Sequence, residues 1–388
     1  MAFDAIARQV KATGAERIGA IAGELAAVEE IFALKDLMTR LGVSNLDCRE
    51  DSSALDPKWG RASYIFNPTI AGIETADHLM LIGSNPRREA PIINARIRKR
   101  WRTGKLKVSL IGERADLTYD YDYLGAGPET LATIRPSADT GRPIWLIGQG
   151  ALSRKDGLAI LSLSAKSALA AGAIQDGWNG FGVLHTAASR VGALDLGFVP
   201  GPGGHGALDM AAPDAVDVIF LLGADEIEVE PGAFVVYIGT HGDRGAHRAD
   251  VILPGAAYPE KSGIFVNTEG RVQAAPRASF PPGDAREDWA ILRALSDVLG
   301  HKLPYDSLAQ LRNALFRKHA HLQRIDRIER GHSGDIEKLA ALGGTPDKAA
   351  FISAVDDFYL TNAIARASAV MAECSVIAEG HAALTAAE

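Results

Sequence analysis

The sequence predicts an α/β protein with two doubly wound, Rossmann-like units and a helical extension at the C-terminus. Three observations support this fold class. Short apolar runs that end in glycine recur as far as Gly255, segments with helical periodicity lie between them, and the chain after residue 300 is helical and less apolar. Strands buried on both faces of a parallel sheet are continuously apolar, and alternating strands and helices are typical of doubly wound sheets.

Seven of these runs predict strands. The glycine at the end of each run lets the chain turn sharply where the strand stops. The runs are RIGAIAG at 17–23, HLMLIG at 78–83, LKVSLIG at 106–112, PIWLIG at 143–148, VDVIFLLG at 216–223, AFVVYIG at 233–239 and ADVILPG at 249–255.

Helices are predicted where apolar residues recur every three or four positions. In segment 286–300, Gly300 stands where a C-terminal cap belongs. The predicted helices are 25–41, 286–300, 307–319, 347–360 and an Ala-rich tail over 362–388. We expect a first α/β unit over 1–135, a second over 136–300 and the helical extension over 301–388, with the turn-rich segment 128–143 as the linker.

Composition excludes several classes of protein. The net charge of −7 opposes binding to nucleic acid. Neither a secretory signal nor an apolar stretch of membrane-spanning length occurs in the sequence, so we expect a soluble or peripheral protein. The two cysteines, Cys48 and Cys374, are too few for an iron–sulfur cluster or a four-cysteine zinc site, each of which takes four thiolates.

Two turns after predicted strands are candidate ligand sites. At 81–91, Gly83, Ser84 and Asn85 can offer N–H groups and small polar side chains to a phosphate, or form an ordinary turn. At 239–254, His241, Asp243, Arg244 and His247 form either a crevice for a charged ligand or a solvated loop, and the loop is favoured.

Two other motifs are weaker. GPGGHG at 201–206 matches a dinucleotide fingerprint, but no strand and helix flank it, which favours a plain loop. The basic run 96–107 suits a solvated helix face, an acidic partner or nucleic acid. The residues themselves predict no catalytic group and no metal site.

Residues 247–273 and 281–300 resemble the signature of the molybdopterin oxidoreductases. LIGSNPRREAP at 81–91 resembles the Gly-x-Asn-Pro turn of the same family. Within the family, segments 85–101, 110–125, 195–204 and 254–271 resemble the large iron–sulfur subunit of NADH–quinone oxidoreductase, respiratory complex I. The signature positions are Ala249, Asp250, Leu253, Pro254, Glu260, Gly263, Asn267, Glu269, Gly270, Arg271 and Trp289.

The resemblance implies a structural, non-redox part of that subunit, with no cofactor in this chain and without molybdopterin. The iron–sulfur clusters would lie in cysteine-rich N-terminal domains that the chain lacks. The chain would then be the second half of a split gene, a mis-started frame or a fragment. The candidates for a vestigial pterin site are Gly83, Ser84, Asn85, Pro86, Gly239, His241 and Asp250.

The resemblance also implies partners and a location. The partners would be other subunits of the peripheral arm, especially the flavin-containing, NADH-binding subunit, and the cysteine-rich N-terminal half of the same subunit. The location would be the cytoplasmic side of a bacterial inner membrane. Two alternatives stay open: a fragment of an active, formate dehydrogenase-like molybdopterin enzyme, and a stand-alone nucleotide-binding protein.

Overall fold

The strands confirm all seven sequence predictions and add seven that were not predicted. The computed structural model describes residues 1–135 and 141–385, so part of the expected linker, 136–140, lies outside the described residues. The strands are β1 Ile18–Ala22, β2 Asn45–Asp47, β3 His78–Ile82, β4 Lys107–Ile111, β5 Asp122–Gly125, β6 Pro143–Ile147, β7 Ile174–Gln175, β8 Trp178–Asn179, β9 Phe181–Val183, β10 Val218–Leu222, β11 Phe234–Gly239, β12 Val251–Pro254, β13 Gly263–Val266 and β14 Val272–Ala275.

Ten of these strands form two parallel sheets. The first sheet has the order β12-β11-β10-β1-β2 and the second has the order β5-β4-β3-β6-β9. In the first sheet β1 pairs with β10, from Ile18 beside Val218 to Ala22 beside Leu222. Both strands are fully buried, as their apolar runs predict. The other four strands form two small antiparallel hairpins, β7–β8 and β13–β14.

The sheets do not follow the expected division of the chain at residue 135. That boundary falls between β5 and β6, which belong to the same sheet, and β1 and β2 belong to a sheet whose other strands begin at Val218. The second sheet is therefore inserted between two parts of the first. Chain order alone does not reveal this arrangement, because β1 pairs with a strand 200 positions further along.

The helices over 25–41, 286–300, 307–319 and the Ala-rich tail are confirmed. Gly300 has a φ of +80° directly after the 288–298 helix, as expected of a glycine that ends a helix. The helices are α1 Ala2–Ala12, α2 Val28–Leu41, α3 Pro86–Glu89, α4 Pro91–Trp101, α5 Pro128–Thr133, α6 Gln149–Leu152, α7 Gly157–Ala170, α8 Arg190–Asp195, α9 Ala207–Ala211, α10 Arg244–Arg248, α11 Asp288–Val298, α12 Leu308–Lys318, α13 Gly334–Ala340, α14 Ala363–Arg366 and α15 Ala369–Thr385.

The expected helix over 347–360 is wrong. This segment is irregular, and its backbone groups bond to the body of the protein instead of to one another. The N–H of Phe351 donates to the carbonyl of Ala126 at 2.9 Å, and the Arg154 guanidinium donates to the carbonyl of Ala349 at 3.0 Å. The Phe351 side chain is buried. We call residues 347–366, which include α14, the C-terminal strap.

A buried ion cluster joins α2, α11 and the segment between β12 and β13. The Lys261 ammonium lies 2.6 Å from a carboxylate oxygen of Glu30 on α2 and 2.6 Å from one of Asp288 on α11. All three side chains are almost fully buried. Burial, with the neighbouring carboxylate of Asp288, raises the pKa of Glu30 well above its ordinary value. Lys261 therefore holds together two acids that would otherwise repel each other.

Replacing Lys261 should destabilise the protein strongly. Lys261→Ala leaves two buried carboxyl groups without a cation, a change that typically costs about 3–5 kcal/mol. Urea unfolding at neutral pH measures the loss. The matched control is Lys105→Ala at an exposed site. A loss from Lys261→Ala no larger than that of the control would contradict the role assigned to the cluster.

Candidate functional site

A cleft of about 1030 Å³ lies at the carboxyl ends of both parallel sheets. This is the edge at which open α/β sheets bind ligands. The C-terminal strap lines the other side of the cleft. The lining residues from the body of the protein follow strand ends, with Glu24 after β1, Glu50 after β2, Glu89 after β3, Gln149 after β6 and Glu226 after β10.

The Gly83–Pro86 turn at the end of β3 already holds a carboxyl group of the protein, that of Glu89. Gly83 has a φ of +53°, which favours glycine. The Ser84 hydroxyl donates to the Glu89 carboxylate at 3.2 Å, and the backbone N–H of Asn85 donates to its other oxygen. Burial raises the pKa of Glu89 to about 7. The donors that the sequence analysis offered to a phosphate are thus bound to a carboxyl group of the chain itself.

The turn after β11 is filled in the same way, by the carboxylate of Asp225, which follows β10. The Asp225 carboxylate accepts from the backbone N–H groups of Asp243 at 3.0 Å and Gly245 at 2.8 Å, at the start of α10. Gly239 and His241 lie beside it and line a cavity of about 530 Å³. Nδ1 of His241 lies 3.0 Å from the hydroxyl of Thr240.

Asp250 does not belong to this group. It directly precedes β12, at the amino ends of the strands, and its carboxylate accepts from the N–H of Val235 at 2.8 Å. The carboxyl ends of β11 and β12, where Gly239 lies, form the opposite edge of the sheet. The expectation that Asp250 shares a site with Gly239 and His241 is therefore wrong, because position within a parallel strand decides which edge a residue reaches.

Carboxyl groups dominate the floor of the cleft. Burial, with the nearby carboxylate of Glu226, raises the pKa of Glu24 to about 7. Burial also raises the pKa of Glu50 well above its ordinary value, with Glu24 as a further cause. The neighbouring Arg190 guanidinium is bound to Asp51 at 3.0 Å. Desolvated acids in proximity disfavour further negative charge.

Sequence reasoning missed these acids and also Arg366. The Arg366 guanidinium contacts carboxylates of Asp225 at 2.9 Å, Glu226 at 2.7 Å and Asp243 at 2.9 Å. Asp243 had been placed in a candidate crevice, and the structure joins it to the strap. Glu89 could have been found from its spacing of four residues after Asn85. No local pattern marks Arg366, since its partners lie more than 120 positions away.

The weaker motifs do not form sites. Residues 201–206 form a loop, as favoured, and the N–H of Gly201 donates to the carbonyl of Ser44 at 2.9 Å beside β2. The basic run 96–107 covers most of α4 and the start of β4. Part of its charge is paired, since Arg96 lies 2.7 Å from Glu74.

Four of the family signature positions, Asn267, Glu269, Gly270 and Arg271, shape the turn of the β13–β14 hairpin and attach it to the body. One oxygen of Glu269 accepts from the N–H of Ile70 at 2.8 Å, and the other accepts from Arg271 at 2.9 Å. Asn267 accepts from the N–H of Arg271 at 2.9 Å. Gly270 has a φ of +81°, and a Cβ there would lie 2.7 Å from the Arg61 guanidinium. These contacts stabilise the fold and do not reach the cleft.

The two cysteines do not form a metal centre with their surroundings. Cys48 is buried, and burial raises the pKa of its thiol to about 12. Within 1–135 and 141–385, no group of three or more His, Cys, Asp or Glu side chains is arranged to hold a metal ion. No helix in the described part of the chain is long and apolar enough to cross a membrane.

Comparison with known proteins agrees with this architecture. The family model of the molybdopterin oxidoreductases matches residues 1–298, and the chain belongs to that family. Acetylene hydratase from Pelobacter acetylenicus has a similar fold, with a TM-score of 0.56 and 12% identity over 94% of this chain and 65% of that one. A chain of the formyltransferase/hydrolase complex from Methylorubrum extorquens gives 0.55 and 17%, covering 77% of this chain and 95% of that one.

Within that family the chain belongs with the large subunit of complex I. Residues 327–374 match the family model for the C-terminal region of the large (G-type) chain of NADH-ubiquinone oxidoreductase. The mitochondrial 78 kDa subunits of NADH-ubiquinone oxidoreductase from Neurospora crassa and Candida albicans are 40% and 42% identical to it, each over 92% of this chain. The mitochondrial iron-sulfur protein 1 of NADH dehydrogenase from Solanum tuberosum is 38% identical over 93%. The chain spans about half the length of these relatives, 49–51%.

The raised pKa of Glu24 predicts a pH-dependent gain from Glu24→Gln. The ionised carboxyl group destabilises the folded state most fully above its pKa of about 7, and the effect is lost below about 4.5, where the group is protonated in both the folded and unfolded states. Because the pKa of Glu24 is raised from 4.5 to about 7, the gain in free energy of unfolding should be on the order of 3 kcal/mol at pH 8, the value of roughly 2.5 pKa units, and close to zero near pH 4.

Urea unfolding at the two pH values measures this difference. Glu230→Gln, at an exposed position, is the control and should change stability equally at both. An equal gain from Glu24→Gln at pH 4 and pH 8 would contradict the raised pKa assigned to Glu24.

Proposed function

We propose that this chain is the non-redox, structural part of the large iron–sulfur subunit of NADH–quinone oxidoreductase. In this role it supports electron transfer from NADH to quinone by cluster domains that are not part of this chain. Its similarity to the complex I subunits over more than nine-tenths of its length supports the proposal. One of those relatives is named as an iron–sulfur protein.

The observation that carries the proposal is the Glu89 carboxyl group in the Gly83–Pro86 turn. A pterin cofactor of this family brings phosphate groups, which need free N–H donors and positive charge. Here Ser84 and Asn85 donate to Glu89 instead. The residues present at the cleft therefore do not fit an anionic pterin cofactor.

Two of the four arginines that line the cleft add to this mismatch. Arg154 pairs with Asp156 at 2.8 Å and donates to strap carbonyls, and Arg366 is surrounded by three carboxylates. Their donors are used by the protein itself. An added phosphate would also lie near Glu24 and Glu50, whose ionised forms would repel it.

The chemistry of the two cysteines also supports a non-redox role for this chain. With a pKa of about 12, the Cys48 thiol stays protonated at neutral pH, whereas a metal ligand or nucleophile must be the thiolate. Cys374 is the only other cysteine. One remaining thiol cannot supply the four thiolates that an iron–sulfur cluster takes.

The partners and location that we propose follow from membership in complex I. The chain would contact other peripheral-arm subunits, chiefly the NADH-binding flavoprotein, and the cysteine-rich half of its own subunit. We propose the cytoplasmic side of a bacterial inner membrane, where the peripheral arm would lie. The similar subunits named above are mitochondrial, so fractionation of the source cells is the direct test of this location.

Metal and pterin analysis of the purified chain tests the proposal. The chain should carry molybdenum, iron and pterin at far below one per chain when it is produced in a host that makes molybdopterin. An active molybdopterin enzyme purified in parallel from that host is the positive control. Near-stoichiometric molybdenum with pterin would contradict the proposal and favour an active, formate dehydrogenase-like enzyme.

A further inference from the structure

The C-terminal strap crosses the open side of the cleft, where a ligand would enter. Residues 349–350 and 352–358 of the strap line the cleft together with Glu50, Glu89 and Gln149. The strap lies wholly inside the 327–374 segment that matches the complex I subunit family, and outside the 1–298 match to molybdopterin oxidoreductases in general. The segment that covers the cleft thus belongs to the part of the chain that matches the complex I subunit family and not the molybdopterin oxidoreductases in general.

The body of the protein binds the strap along its whole length. The Arg154 guanidinium donates to the carbonyls of Ala349 and Ala350 at 3.0 and 3.1 Å. The N–H of Ser353 donates to the Glu113 carboxylate at 3.1 Å. Phe351 is 1% exposed, so its ring is packed under the strap and not over it.

The glycine in α6 makes room for this path. A Cβ at Gly150 would lie 2.0 Å from the carbonyl oxygen of Ile352, a distance that no side chain tolerates. The same atom would lie 2.9 Å from the carbonyl of Gly83. Since a glycine inside a helix costs roughly 0.5–1 kcal/mol relative to alanine, its presence here is explained by the close approach of the strap.

At its C-terminal end the strap places the Arg366 guanidinium among the carboxylates of Asp225, Glu226 and Asp243. We call these three carboxylates the acidic cup. All three nitrogens of the Arg366 side chain donate to carboxylates, with Nε and Nη2 to Asp243, Nη1 to both oxygens of Glu226, and Nη2 to Asp225, at 2.7–3.0 Å. The Asp225 side chain is 1% exposed and that of Arg366 is 14% exposed. Three carboxylates around one cation leave excess negative charge if the arginine departs, so the cup requires a cation.

We propose that the strap is the resident occupant of the cleft, and that Asp225, Glu226 and Asp243 form a guanidinium-binding site that holds it there through Arg366. The planar fork of an arginine matches several carboxylates at once, which a lysine ammonium cannot do. The inference rests on the proposed function, because it states what fills the cleft in place of a cofactor. It adds a site and a ligand class that the proposed function does not contain.

Cleavage by chymotrypsin after Phe351 measures opening of the strap, because this buried residue is accessible only when the strap leaves the cleft. The probe is the full chain, with products assigned by mass spectrometry. Wild-type protein should be cleaved slowly at this site. Arg366→Ala should raise the rate at least about tenfold, which corresponds to ~1.4 kcal/mol in the opening equilibrium. Arg366→Lys should give an intermediate rate.

Gly150→Ala is an independent variant that leaves the acidic cup intact. Its added methyl group should displace the strap at Ile352 and also accelerate cleavage after Phe351. Gly380→Ala is the matched control, because it places the same methyl group in a helix where nothing lies within 4 Å. Arg317→Ala, on the exposed side of α12, controls for loss of an arginine.

The outcomes separate the two proposals. Rates after Phe351 that are equal in wild type, Arg366→Ala and Gly150→Ala would overturn the inference. So would rapid cleavage of the wild-type chain after Phe351, even in a chain free of molybdenum. Should Arg366→Ala fail to fold, Asp243→Asn removes the most exposed carboxylate of the cup and should give a smaller increase in the same rate. Stoichiometric molybdenum would instead contradict the proposed function, whatever the cleavage rates.

Discussion

The structure depends on the need of the backbone N–H groups at the carboxyl ends of the strands for hydrogen-bond acceptors. Two parallel sheets point their carboxyl ends at one cleft, and the backbone N–H groups of the turns there need acceptors. The chain supplies its own, with Glu89 in the turn after β3 and Asp225 in the turn after β10. Once internal carboxyl groups occupy these positions, the cleft becomes acidic and suits a cation better than a phosphate.

The excess of acid at the cleft explains the part played by the C-terminal strap. Arg366 brings the positive charge that Asp225, Glu226 and Asp243 require. The strap pairs its backbone with groups of the body, so that few polar atoms are left without partners. A fold shared with proteins of 12–17% identity is thus closed by a segment that the general family match does not include.

The sequence predicted the elements better than their arrangement. Apolar runs ending in glycine located β1, β3, β4, β6 and β10–β12, because full burial on both faces leaves a clear local pattern. The short strands β2, β5 and β9 lack that pattern. The segment 347–360 looked amphipathic because Phe351 faces the core, but its backbone bonds to the body. The pairing of β1 with β10, and of Arg366 with Asp225, depends on contacts between distant residues that no local pattern records.

The interrupted first sheet has a consequence for biosynthesis. β1 can pair with β2 early, but Ile18 must wait for Val218 to emerge from the ribosome before β1 gains its second partner, β10, a delay of roughly 10–40 seconds at ~5–20 residues per second. The inserted sheet, complete by Val183, is able to pair earlier. During that interval the nascent chain exposes an apolar strand with one unpaired edge, the kind of surface that chaperones bind.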